Sequence, residues 1–180
     1  MGLFLFSGAA MANPAPTQTP APVQPAYTVA LTGYNAVPAQ TDDNPLVTAS
    51  GAYSNPEVVA ARSQDLAAEL PFGTIVEIDG PAAAMSTTCG YGAVAPVVGY
   101  RVIADTMNAR FSDRVDILFS TKAEYHTAGG MKNASTVLGV CPSSTVRVVG
   151  HVDINRIPKT QSALAALVEG RSADLATAAQ

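Results

Sequence analysis

Six short β-rich runs, each cut off by Gly, Pro, Asn or Asp, constrain this 180-residue chain more than any other feature. They lie at 27–32, 58–61, 74–78, 97–104, 114–119 and 145–152. Strands this short, with few helical stretches between them, bury their apolar faces best in a small closed barrel. The expected fold class is therefore all-β. Between the third and fourth runs, residues 80–96 (GPAAAMSTTCGYGAVAP) read as a small-residue-rich insertion. Thr121-Lys122-Ala123-Glu124 has capping-box spacing, which predicts a short helix after the fifth run, stopped by Gly129-Gly130. Residues 161–179 are Ala-rich, with Leu164, Leu167 and Val168 at helical spacing, and predict a C-terminal helix.

Composition limits the partners. Charged residues are 13% of the chain and the net charge is −4, with no basic cluster. Nucleic acid and anionic membrane surfaces both call for a cationic patch, so neither is expected as a partner. Residues 2–10 form an apolar run far too short to span a bilayer. Ala10-Met11-Ala12 follows as a small-x-small cleavage site, and the segment reads as an export signal, although a basic n-region is missing. An apolar tail is the alternative. Residues 13–25 (NPAPTQTPAPVQP) form a Pro-rich tether. The expected organisation is a signal at 1–12, a linker at 13–25, the barrel at 26–157 and a helical tail at 158–180. It implies a secreted or cell-envelope protein; a monomer is expected.

The chain has two cysteines, Cys89 and Cys141. In an exported protein an even count invites one disulfide. Both positions read as loops, Cys89 in the Gly-rich insertion and Cys141 before Pro142. Two unrelated thiols are the alternative. His126 and His151 have no ligand-spaced partners, so no metal site and no cofactor are expected.

The chemistry concentrates in two aspartates. Asp105 ends the fourth run, and Asp116 sits inside the fifth. The alternation of 114–119 puts Asp116, Leu118 and Ser120 on one face and Val115, Ile117 and Phe119 on the other. A carboxylate in an apolar strand is costly to bury unless it is paired or protonated, and a second carboxylate nearby raises its pKa further. Alternatively, Asp105 caps a turn and Asp116 faces solvent.

Upstream stand Gln40-Thr41-Asp42, Thr48-Ala49-Ser50-Gly51, Asp65 and Leu70-Pro71-Phe72-Gly73-Thr74. With Asp105-Thr106 and Asp116 in its strand, this order resembles the 3D domain, named for its three aspartates and related to MltA-type lytic transglycosylases and stationary-phase survival proteins. The likeness covers roughly residues 27–119. It implies a six-stranded double-psi β-barrel and cleavage of the MurNAc–GlcNAc β-1,4 bond of peptidoglycan. It matches Asp116 to the principal acid/base, Asp105 to an aspartate that tunes it or stabilises positive charge, and Asp65 to the third aspartate. Thr48 and Thr106 would orient carboxylates or sugar, and Gly51 and Gly73 would serve tight turns or close backbone approach. Asp42 reads as structural, in an Asx-turn with Thr41.

The sequence departs from the family after Asp105-Thr106. A Gly-rich loop with a lysine is replaced by Met107-Asn108-Ala109-Arg110-Phe111. Arg110 can stand in for the lysine and Phe111 can offer a stacking face, or the bulkier loop can narrow the groove. Arg110 and Arg114 can also pair with the aspartates and lower their pKa values. A non-catalytic peptidoglycan-binding or scaffold barrel is the competing function. A third reading, Ca²⁺ or Mg²⁺ on the aspartates, lacks a compact loop of oxygen ligands.

Overall fold

The computed structural model describes residues 24–42, 44–82 and 89–178, with side chains described through residue 173. The expected signal, nearly all of the expected linker and part of the 80–96 insertion lie outside the described residues. Six strands close into a barrel: β1 (Ala26–Asn35), β2 (Val59–Arg62), β3 (Thr74–Asp79), β4 (Arg101–Thr106), β5 (Arg114–Phe119) and β8 (Cys141–His151), in the order β1-β5-β2-β4-β3-β8. Two pairs are parallel, β1–β5 and β2–β4, and the others are antiparallel. A separate hairpin joins β6 (Glu124–Thr127) to β7 (Gly130–Asn133).

Two apolar clusters occupy opposite faces of the strands. Val115, Ile117 and Phe119 of β5 join Leu31, Ala60, Ile103 and Val146 in one. Leu118 joins Val59, Ala61, Val102 and Ala104 in the other. Helices α1 (Tyr91–Val98) and α2 (Ala134–Leu138) contribute Val94, Val98, Ala134 and Leu138 to the first cluster. The second takes Leu164 and Val168 of α3 (Gln161–Ala178), which is the expected C-terminal helix.

Three expectations need correction. The run at 97–104 is not one strand: Val97 and Val98 end α1, and β4 starts at Arg101. Between them Gly99 takes φ +54°, and the fully buried Arg101 donates to the carbonyls of Val97 and Val98, the last of α1, as well as to those of Pro56 and Leu118. A cation at a helix C-terminus suits both the free carbonyls and the helix dipole. The helix expected after β5 is instead the β6–β7 hairpin, with Gly129-Gly130 at its turn rather than at a helix end. Finally, Cys141 is not in a loop. It is the fully buried first residue of β8, bonded to Cys89 as one disulfide.

Candidate active site

One row of residues crosses four neighbouring barrel strands and carries the candidate chemistry. Asp116 on β5 is in register with Thr32 on β1 and with Ala61 on β2. Ala61 is in turn in register with Asp105 on β4. The two aspartates therefore flank one small residue, their α-carbons two strand spacings, about 9.6 Å, apart. This row depends on a bulge. Ala60 pairs with Ile103 but Ala61 pairs with Asp105, so Ala104 is an extra residue on β4. Without it, alternation would turn Asp105 to the side of Ile103. With it, Ala104 and Asp105 share a face, and the carboxylate is re-aimed beside Ala61 and Asp116.

Above this row lies a cleft of about 670 Å³. Asp105, Asp116, Ala61, Gly33 and Tyr34 line it from the barrel. Its walls include Gln40, Thr41 and Asp42 on one loop, Val47, Ala49 and Ser54 on a second, and Thr106, Met107, Asn108, Arg110 and Phe111 after β4.

Asp105 is held as a hydrogen-bond acceptor from three directions. Tyr34 Oη donates to Oδ2 at 2.9 Å, and the backbone N–H groups of Ala49 and Thr106 donate to Oδ1, each at 2.9 Å. Tyr34 is buried, and burial together with the Asp105 charge pushes its phenol well above its ordinary pKa. The hydroxyl thus stays a donor.

Asp116 is in the opposite situation. Its Oδ1 is buried with no hydrogen-bond partner among the described residues. Burial, reinforced by the Asp105 charge, raises its pKa to about 7. The nearby Thr32 hydroxyl and the Arg114 charge act against that rise, although Thr32 Oγ1 closes no hydrogen bond of standard geometry. Two aspartates in one cleft are thereby set apart: one is braced by donors, and the other can hold or release a proton near neutral pH.

Neither Arg110 nor Arg114 forms an ion pair with these aspartates among the described residues, although the Arg114 charge acts on Asp116. Among the described residues, ion pairs involve only Arg147 with Glu77 and Asp79. Arg110 and Arg114 instead place their guanidinium carbons 4.7 and 4.8 Å from the Phe111 ring centroid. Arg110 lines the cleft and is exposed. No three of His, Cys, Asp and Glu converge into a donor group among the described residues.

Of the remaining motif residues, Ala49, Thr106 and Asp42 line the cleft, while Thr48, Ser50, Gly51 and Asp65 build the site from behind it. Thr48-Ala49-Ser50-Gly51 is a tight turn: Gly51 takes φ +86° and donates to the Thr48 carbonyl, while Thr48 Oγ1 donates to that of Ala52. Ser50 N–H then docks on the carbonyl of Ala104, the bulge residue, and Ala49 N–H reaches Asp105. Asp65 lies in a short 3₁₀ turn, Gln64–Ala67, and is exposed. Its Oδ2 accepts from Asp113 N–H at 2.9 Å, which with the Ser63 hydroxyl holds it below the usual carboxylate range. Asp113 carries a positive φ of 49° immediately before β5, and Ser63 Oγ accepts from Arg114 N–H. The Thr106 hydroxyl accepts from Arg62. Asp42 accepts from Asn44 N–H in an Asx-turn, and it also lines the cleft. Ala61, Thr32 and the bulge at Ala104 carried no sequence signal, because a small residue in a strand has no distinctive chemistry.

No protein-family model matches this chain, and no curated protein is significantly similar to it.

Proposed function

We propose that this chain is an exported peptidoglycan lytic transglycosylase whose acid/base is Asp116. The observation that carries the reading is a partly buried carboxyl, with a pKa of about 7, in an open cleft and paired across Ala61 with a second carboxylate. A neutral carboxyl at near-neutral pH can protonate the glycosidic oxygen as the C1–O bond breaks. The carboxylate left behind can then accept the proton of the muramoyl 6-hydroxyl as that oxygen closes on C1, giving a 1,6-anhydro sugar and returning Asp116 to its acid form. Asp105, braced by three donors, supplies the negative charge that favours the oxocarbenium-like centre. The cleft volume lies in the range usual for small-molecule sites. The two parallel pairs, β1–β5 and β2–β4, support reading the barrel as the double-psi type. In this reading Asp65, Thr48 and Gly51 position the site, and Thr106 and Arg110 face the glycan.

A second reading, a non-catalytic peptidoglycan-binding barrel, draws on the 107–111 loop, which brings Met107, Arg110 and Phe111 to the cleft wall. Incubating the purified chain with peptidoglycan sacculi and analysing soluble products by mass spectrometry separates the two. Anhydro-muramic ends are the expected result. Reducing ends would mean hydrolysis instead, and sedimentation with sacculi without release would favour binding alone.

A further inference from the structure

Among the described residues, three buried side-chain atoms have no hydrogen-bond partner: Thr32 Oγ1, Arg114 Nε and Asp116 Oδ1. Buried polar groups in native folds are nearly always satisfied, so exceptions call for an explanation. These three are neighbours. Thr32 is in register with Asp116 on the parallel β1–β5 pair, and Arg114 lies two residues before Asp116 on the same face of β5. Arg114 is itself opposite Ala30, two residues before Thr32. Two donors and one carboxyl oxygen, none closing a hydrogen bond of standard geometry, therefore share a single patch of the barrel wall, with the Thr32 hydroxyl already near enough to Asp116 to favour its charged form. The Arg114 guanidinium is steadied from outside by the Phe111 ring.

A neutral carboxyl accepts only weakly, whereas a carboxylate oxygen accepts strongly and can take both donors. The patch is thus better matched to the carboxylate than to the neutral acid. We propose that Thr32 and Arg114 form a donor pair that closes on the Asp116 carboxylate when Asp116 gives up its proton. They are positioning residues: they hold the base form in place and release it when the proton returns. This rests on the reading of Asp116 as the acid/base. The proton goes to the leaving oxygen as the glycosidic bond breaks, Thr32 Oγ–H and Arg114 Nε–H then turn to the carboxylate, and both are freed when the attacking hydroxyl's proton arrives. The other groups facing Asp116 are Asp105 on β4 across Ala61, and Tyr34 on β1, itself faced by Arg101. Arg110 and Asp42 complete the set from the cleft walls.

The test is a ¹³C NMR titration of the Asp116 carboxyl in the full chain, without glycan, for wild type, Thr32→Val, Thr32→Ser, Arg114→Lys and Arg114→Gln. Thr32→Val should raise the midpoint by about one pH unit, and Thr32→Ser should restore it, because only the hydroxyl matters. Arg114→Gln should raise it as well. Arg114→Lys, which keeps the charge without the Nε donor, should fall between Arg114→Gln and wild type. Midpoints unchanged in both Thr32→Val and Arg114→Lys would overturn the donor pair. Release of anhydro ends from sacculi is measured separately. If the midpoints shift but no glycan is cleaved, the donor pair stands and the transglycosylase reading falls. Cleavage with unmoved midpoints sinks the donor pair alone.

Discussion

At the residue scale, Asp116 couples chemistry to stability. An aspartate in an unfolded chain titrates near about 3.9, whereas in the fold Asp116 titrates at about 7. Between those values the folded state keeps a proton that the unfolded chain has lost. Stability contributed by this group is therefore complete below about pH 4 and lost as the pH rises through 7, by on the order of 4 kcal/mol in all. Asp65 and Asp153, held below the usual carboxylate range chiefly by backbone N–H donors, act in the opposite sense and lose their contribution in acid. Thermal melts from pH 4 to 8 should show Asp116→Asn gaining on wild type as the pH rises; parallel curves would mean that Asp116 titrates normally. Tyr34→Phe removes one of the three donors to Asp105 and should cost about 2 kcal/mol, read as a lowered Tm. Asp105 and Asp116 were legible in the sequence because carboxylates stand out against apolar strands. The Tyr34–Asp105 bond was not legible, since 71 residues separate the two.

At the element scale, the sequence motifs are mostly turns that place backbone N–H groups. The Thr48–Gly51 turn clamps the β4 bulge, and Asp65 with Ser63 fixes the start of β5. Gly73 belongs with them. It takes φ +93°, donates to the Ile103 carbonyl, and a Cβ there would strike the Val152 carbonyl. Gly73→Ala should therefore destabilise the barrel by about 2 kcal/mol or more, measurable by urea unfolding, and a neutral effect would show that the turn relaxes at no cost. All six barrel strands overlap the runs visible from alternation and punctuation, with β1 and β8 longer than their runs. The errors have local causes. Val97-Val98 are β-branched and continue into a strand sequence, so the break at Gly99 was invisible. The Thr-Lys-Ala-Glu spacing imitates a helix cap, but Tyr125 and His126 pair with Lys132 and Met131 across the turn, so Gly129-Gly130 marks a hairpin and not a helix end.

At the scale of the whole molecule, the Cys89–Cys141 bond spans 52 residues and ties the segment before α1 to the start of β8. The chain between them includes β4, β5 and the hairpin, so closing this loop restricts the unfolded state strongly, by about 4 kcal/mol in the chain-entropy view. Reduction should lower the Tm by well over 5 °C; an unchanged Tm would mean that the barrel alone limits unfolding. The stability that Asp116 costs near and above neutral pH and its proposed catalytic role are two faces of one arrangement, as is common where a buried group serves chemistry. One comparison tests this directly: release of anhydro-muramic products from sacculi by wild type and by Asp116→Asn, with the Tm of both at pH 8. Release should fall by roughly 1,000-fold in Asp116→Asn while the variant melts no lower than wild type. Full release by Asp116→Asn, or loss of release only because the variant unfolds, would contradict that role.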